Sequence, residues 1–404
     1  MHNAPRKIVL AYSGGLDTST VLKWLTERYE AEIIAFCGDL GQTVDLAAVE
    51  DRARRAGASK TCVKDLRREF IESYAFRCLK AGALYQGKYP MSSSMSRPLL
   101  AKELIAISRQ EGADAIAHGC SGKGNDQLRF AASAMALEPG VTLLSPLIDW
   151  PLRSRDEQVE YAGKHGIEVP VTAAAPYSLD ENLWGRSIGC GPLEDLSQPL
   201  AEEIFRFTCA AREAPEDPQR IEIGFEQGVP TTLDGRQHDA VSLVQSLNRL
   251  AGAHGVGRIE QIKDKVVGIK AREVYECPAA VVLYRAHTDL EELTLDKATL
   301  DFNRITASQY AELTYAGFWF SPLKQALDSF VEHSQRSVSG TVTVELYRGS
   351  CRVVGRASDN ALYDYALSTY DRRDAFDHQA GQGFTQIMSL PQRVVSMVRG
   401  GATA

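Results

Sequence analysis

The chain has 404 residues, 44% hydrophobic and 24% charged, enough for two packed cores of ordinary globular composition. Its 45 basic against 52 acidic residues leave a formal charge of -7, so the overall balance gives no general attraction to nucleic-acid phosphates. No apolar run approaches the ~18 residues of a membrane span and the first six residues lack a hydrophobic leader, so a cytoplasmic location is expected.

The first strand is Ile8-Val9-Leu10-Ala11, an apolar run without polar alternation, as in a parallel strand covered on both faces. A glycine loop follows. Val21, Leu22, Leu25 and Tyr29 then fall on one helical face, with Asp17 or Thr18 as the expected cap. The unit repeats with Ile33-Ile34-Ala35-Phe36 as a strand, Leu46, Val49, Ala53 and Ala56 on a helix face, and Gly57 as its stop. Thr61-Cys62-Val63 reads as a third strand. Residues 98–111 read as a helix, Ala115-Ile116-Ala117 as a strand, 125–135 as a helix and 141–144 as a strand. Strands alternating with helices predict an α/β fold with a doubly wound parallel sheet.

After Trp150-Pro151 the rhythm changes, because residues 171–199 are rich in proline, glycine and polar residues. A boundary near residue 172 is expected, dividing the chain into 1–172 and 173–404. In the second part residues 341–346 and 351–355 read as a β-hairpin around Arg348-Gly349-Ser350, and 240–250 and 323–331 as helices, giving a mixed α+β half. The tail, about 360–404, forms no compact unit of its own and suits packing on another subunit; the alternative is a frayed terminus. The eight cysteines are scattered, none within three residues of another, so no C-x-x-C pair exists and most read as small buried hydrophobes.

The chemistry concentrates in Ser13-Gly14-Gly15-Leu16-Asp17-Thr18-Ser19, between a strand and a helix. Glycines let the backbone aim its N-H groups at an anion, the hydroxyls of Ser13, Thr18 and Ser19 add donors, and the helix start adds positive potential. Pyrophosphate fits such a cradle. A capped two-glycine turn that binds nothing is the plain alternative. The loop is neither G-x-x-x-x-G-K-[ST] nor G-x-G-x-x-G. A second glycine loop, Gly119-Cys120-Ser121-Gly122-Lys123-Gly124-Asn125-Asp126, follows another predicted strand and emerges at the same sheet edge. There Lys123 offers charge to phosphate, and Asn125 and Asp126 offer polar recognition of an amino-acid head group.

S-G-G-x-D-x-S after the first strand resembles the loop of the ATP pyrophosphatases, which cleave between the α- and β-phosphates and adenylate a substrate oxygen. Residues 11–19 and 119–129, Pro176-Tyr177-Ser178-Leu179-Asp180-Glu181-Asn182-Leu183-Trp184, and Phe318-Trp319-Phe320-Ser321-Pro322-Leu323 further resemble blocks of the argininosuccinate synthase family, a likeness spanning nearly the whole chain. It implies a carbon–nitrogen ligase of arginine biosynthesis. In this reaction the ureido oxygen of citrulline attacks the α-phosphorus of ATP, pyrophosphate leaves, and the amine of aspartate displaces AMP. The resemblance assigns ATP to Ala11, Tyr12, Ser13, Gly14, Gly15, Leu16, Asp17, Thr18, Ser19, Gly38 and Gly119. It assigns aspartate to Ser121, Asn125 and Asp126, and citrulline to Tyr89, Ser94, Asn125, Arg129, Ser178, Ser187 and Tyr275. It also implies a synthetase and multimerisation role for the second half, a homotetramer, and Mg²⁺ held mainly by ATP phosphates, with Asp17 or Asp126 as candidate protein partners.

Three departures from the family pattern stand out. Ser121 replaces a threonine and Ser92-Ser93-Ser94 replaces Gly-Thr-Ser, both keeping hydroxyls. Where the family reads V-E-N-R, this chain has Ile262-Lys263-Asp264-Lys265, which turns a citrulline-contacting glutamate into Lys263. Four readings stay open: Asp264 or Glu260 takes the ammonium, the segment shifts register, the second substrate differs, or Lys263 is a surface lysine. Other ATP pyrophosphatases are expected to fit less well, since neither the reactive cysteine system nor the basic RNA-binding surface of a sulfurtransferase shows in the sequence, and a glutaminase nucleophile or domain has no room before residue 7. A nucleotide-binding regulator that lost catalysis is the alternative of a different class.

Overall fold

A computed structural model of the chain describes residues 4–122, 124–152, 155–167 and 177–400. Lys123 and the expected boundary near residue 172 lie outside the described residues, as does Pro176. Five strands, β1 (Lys7–Ala11), β2 (Glu32–Asp39), β3 (Lys60–Asp65), β4 (Ala115–His118) and β5 (Thr142–Leu144), form a parallel sheet in the order β3-β2-β1-β4-β5. Both faces are covered, as the unbroken apolar run of β1 requires. Val9 joins Ile34 and Ile116 in one core, while Ile8 and Leu10 join Ile33 and Ala115 in the other. The chain winds outward from β1 to β3 and then restarts at β4, so the switch point lies between β1 and β4, where ligands of such sheets bind.

Two helix starts differ from the sequence reading. The helix Leu16–Tyr29 takes Gly15 as its N-cap, in extended backbone and without a side-chain cap, so Asp17 and Thr18 lie inside the first turn. The glycine turn delivers the chain into the helix before either residue can cap it. The second long helix runs Ser92–Glu111 and contains Pro98, although residues 98–111 were expected. Proline lacks an N-H, so its ring removes the donor that would otherwise reach the Ser94 carbonyl. The first turns are nonetheless held, because Ser92, Ser93, Ser94, Met95 and Ser96 are all buried.

The other strands are β6 (Ser178–Asn182), β7 (Gly185–Gly189), β8 (Gln219–Glu226), β9 (Val229–Leu233), β10 (Arg236–Gln237), β11 (Arg258–Asp264), β12 (Lys270–Glu276), β13 (Gly340–Tyr347) and β14 (Ser350–Ala357). They build two antiparallel sheets, β11-β12-β7-β6 and β10-β9-β8-β13-β14. The expected hairpin is β13–β14. Arg348 and Gly349 both have positive φ, as the favoured two-residue hairpin turn demands. Helices Ala240–Ala253 and Pro278–Thr294 pack on these sheets, Lys297–Ala316 reaches β11 through the Tyr315 hydroxyl, and Pro322–Ser334 packs against Lys297–Ala316. Of the eight cysteines, none forms a disulfide; Cys37, Cys78 and Cys277 are buried and Cys190 is exposed.

The chain divides at residue 360 into a large unit and a tail. The tail carries the short helix Tyr365–Ser368 and the helix His378–Val398, neither with a buried residue. On the longer helix Phe384, Ile387, Met388, Val394, Val395 and Val398 recur at helical spacing, all exposed.

Candidate active site

The first glycine loop is built around its own hydroxyls. Ser13 and Thr18 hydroxyls lie 3.1 Å apart, the Ser13 N-H donates to Thr18 Oγ1 (3.3 Å), and the Gly15 N-H reaches Ser13 Oγ (3.4 Å). Beneath them the buried Tyr12 hydroxyl meets Ser19 Oγ at 2.9 Å. Gly14 has φ +76°, and a Cβ there would come within 2.9 Å of Val49 Cγ2, so only glycine fits. Arg52 also ties the loop down by donating to the Gly14 carbonyl at 2.5 Å. The first intrahelical bond runs from Ser19 N-H to Gly15 O (3.1 Å), which leaves the N-H groups of Leu16, Asp17 and Thr18 ahead of it at the positive helix end. That geometry suits a polyphosphate.

The second loop lies against the first. Ala11, the last residue of β1, pairs with His118 of β4, and a Cβ on Gly119 would approach Thr18 Cγ2 to 2.8 Å. His118 is fully buried between Ser145 Oγ (3.2 Å) and the Cys120 N-H (3.2 Å), and burial pulls its pKa down to about 4. The imidazole is therefore neutral. Ser121 is exposed at the loop's tip. Gly38 closes the carboxyl end of β2, but its missing side chain faces Leu100 and Leu66, so helix packing also requires that glycine.

Asn125 and Asp126 open the helix Asn125–Leu137, and both engage partners within the fold. Asn125 Nδ2 donates to the Tyr315 hydroxyl (2.8 Å), and its Oδ1 accepts from Val266 N-H (2.9 Å). Asp126 accepts from Arg97 (2.9 Å) and Arg129 (2.8 Å), while Arg97 also reaches Asp180 at 2.6 Å. Burial alone would raise the Asp126 pKa, but the two guanidiniums overcome it and hold the carboxyl well below the usual range. Arg129, itself buried, donates through Nε to the Tyr315 carbonyl (2.7 Å) and stacks 4.7 Å from that ring. Its second terminal nitrogen is buried without a partner.

Strand alternation gathers the other predicted residues on one face of the β11-β12-β7-β6 sheet. Register places Ser178 opposite Gly189, Asp180 opposite Ser187, Ser187 opposite Tyr275, and Glu273 opposite Gln261. Period two then puts Ser178, Asp180, Ser187, Glu273, Tyr275 and Lys263 on the same side. Tyr89 stacks on Tyr275 with centroids 3.9 Å apart, and the Ser187 hydroxyl lies 2.8 Å from Ser93 and 3.4 Å from Tyr89. Ser94 Oγ is buried without a partner. Ser178, at the outer strand, is exposed.

Lys263 is not a surface residue. Its side chain is 4% exposed, pairs with Glu273 at 2.7 Å, and faces the rings of Tyr89, Tyr275 and Tyr315 at 4.9, 5.3 and 5.1 Å. Burial lowers the ammonium's pKa against the Glu273 charge, which raises it. Glu260 pairs with Arg272 and Asp264 with Lys270, and alternation sets both on the opposite side of β11 from Lys263. The sequence reading also missed Arg97, Asp180, Glu273 and Tyr315. Asp180 lies two residues after Ser178 and Glu273 two before Tyr275, a spacing that already puts each on its neighbour's face.

A phosphate loop at the switch point of a parallel sheet, with a polar receptor on a second sheet, defines an α/β nucleotide-binding enzyme. The family model "Arginosuccinate synthase N-terminal HUP domain" matches residues 7–168 and "Arginosuccinate synthase C-terminal domain" matches 177–395. Argininosuccinate synthase from Geobacillus sp. (strain WCH70) is 50% identical over 392 residues, covering 97% of each chain. Those of Geobacillus kaustophilus (strain HTA426) and Bacillus thuringiensis (strain Al Hakam) are 50% and 48% identical, covering 97% of this chain and 96% and 98% of theirs. The chain belongs to the argininosuccinate synthase family of ATP-consuming carbon–nitrogen ligases. Among solved structures, a U34-tRNA thiolase from Methanococcus maripaludis aligns at 16% identity with a TM-score of 0.26, over 42% of this chain and 61% of that one.

Proposed function

We propose that the chain condenses L-citrulline with L-aspartate through a citrullyl-adenylate. The ureido oxygen of citrulline bonds to the α-phosphorus of ATP as the bond to pyrophosphate breaks. The aspartate amine then adds to the ureido carbon, AMP leaves with that oxygen, and the nitrogen loses its proton. Pyrophosphate sits on the loop of residues 13–19 at the helix start, with Gly38 and Gly119 lining the ATP crevice. Aspartate binds by Ser121, Asn125 and Asp126, and citrulline by Tyr89, Ser94, Asn125, Arg129, Ser178, Ser187 and Tyr275.

The observation that carries this reading is the unpaired, buried guanidinium nitrogen of Arg129, together with the unpaired buried hydroxyl of Ser94. A buried donor without a partner costs about 1–3 kcal/mol, so such groups point to a ligand. Catalysis then rests on alignment and charge stabilisation, without a covalent enzyme intermediate. Mg²⁺ is held chiefly by phosphate oxygens and water, with Asp17 in the first helical turn or Asp126 as protein partner. The ion would neutralise charge on the leaving pyrophosphate.

The same reading places a domain division near residue 172, between the spans of the two family models, and the chain in the cytoplasm as a homotetramer. The apolar face of the helix His378–Val398 supports a tail that packs on another subunit. Among the described residues no helix is long and apolar enough to cross a membrane. Protein given ATP, Mg²⁺, citrulline and aspartate is expected to release AMP and pyrophosphate in equal amounts. AMP release that does not depend on citrulline would overturn the reading.

A further inference from the structure

An α-amino acid brings a carboxylate and an ammonium, and its site must answer both. Arg129 supplies the free buried donor for the carboxylate. The ammonium needs an anion, and Lys263 stands where the resemblance leads one to expect it. The nearby carboxylates are unequal to the task. Asp126 is divided between Arg97 and Arg129, Asp180 is held by Arg97, and Glu260 and Asp264 belong to the other side of β11. Glu273 lies on the receptor side, one strand from Lys263. Its contacts with Lys263 (2.7 Å) and the Tyr275 hydroxyl (2.8 Å) both use Oε2. Its side chain is 21% exposed and lies over Gly189, where a Cβ would come within 3.6 Å of Glu273 Cγ, and neither of the two contacts occupies Oε1.

We propose that Glu273 is the specificity residue for the α-ammonium of the acceptor amino acid, and that Lys263 is the positioning residue that holds it. The Lys263 ammonium and the Tyr275 hydroxyl fix Oε2, which turns Oε1 toward the substrate. The ring faces of Tyr89, Tyr275 and Tyr315 hold the lysine cation in place. Lys263 then does not signal a different substrate. It orients a carboxylate that has moved to the adjacent strand.

This inference rests on the citrulline reading of the cleft, and the test separates the two. Wild type, Glu273→Gln and the double variant Glu273→Gln with Lys263→Met are assayed with citrulline and with 5-ureidopentanoate, which is citrulline without its α-amino group. Removing Glu273 alone leaves Lys263 buried without its anion, so the double variant carries the test if the single one fails to fold. The wild type is expected to prefer citrulline by on the order of 10- to 100-fold in kcat/KM, and both variants to lose that preference while the KM for ATP stays unchanged. Retained preference in the variants, or recovery of the wild-type citrulline KM in the double variant, would show that Glu273 only neutralises Lys263 and would overturn the proposal. Failure of the wild type to use citrulline at all would instead overturn the substrate reading.

Discussion

Gly119 and Thr18 meet where the two glycine loops touch, and a single added methylene at Gly119 would come within 2.8 Å of the threonine methyl. Thr18 is buried and β-branched, so it has little freedom to withdraw. Gly119→Ala is expected to destabilise the fold by about 1–3 kcal/mol and to raise the KM for ATP on the order of tenfold by parting the loops. Thr18→Ser removes the obstructing methyl but keeps the hydroxyl that meets Ser13, so the double variant should recover most of both losses. Recovery is read from thermal unfolding and ATP kinetics together.

Asp126 joins Arg97 to Arg129, and through Arg97 the helix Ser92–Glu111 to Asp180 on β6. Asp126→Asn keeps the shape but removes the charge both guanidiniums share. A stability loss of about 1–2 kcal/mol is expected, moderated by the partial exposure of the carboxylate. Aspartate use should fall more than citrulline-dependent adenylation, measured separately as argininosuccinate formation and as pyrophosphate exchange into ATP. Equal loss in the two assays would argue against its aspartate role.

Arg129→Lys keeps the charge and loses the planar fork. A lysine cannot donate to the Tyr315 carbonyl and a substrate carboxylate while stacking on the Tyr315 ring. The KM for citrulline should rise on the order of 10- to 100-fold with the KM for ATP little changed.

His118 gives a pH signature. Its folded pKa of about 4 lies below the unfolded value of about 6.5, so between those pH values the unfolded chain binds more protons. Its contribution is complete above about pH 6.5 and is lost as pH falls toward 4, up to ~3 kcal/mol. Denaturant unfolding across that range should show a shallower slope for His118→Asn than for the wild type.

The parallel sheet and its loops were legible because a strand buried on both faces is an unbroken apolar run, as in Ile8-Val9-Leu10, and because Gly14 marks a turn with positive φ that other residues rarely make. The start of the helix Ser92–Glu111 was not. Its first five residues are buried all round, so Ser92, Ser93, Ser94, Met95 and Ser96 show no apolar stripe, and Pro98 imitates a boundary. Strands β11 and β12 were missed for a related reason. Lys263 and Glu273 look like solvent-facing charges, yet they lie inward because each neutralises the other. Inward-facing polar residues break the apolar alternation that marks a strand, so the sheet that carries them is the part of the fold least visible in sequence.

The path of one oxygen atom tests the reaction most directly. Citrulline labelled with ¹⁸O at the ureido oxygen should, with ATP and aspartate, yield AMP carrying the label on its phosphate. Unlabelled AMP would contradict citrulline as the group that receives the adenylate.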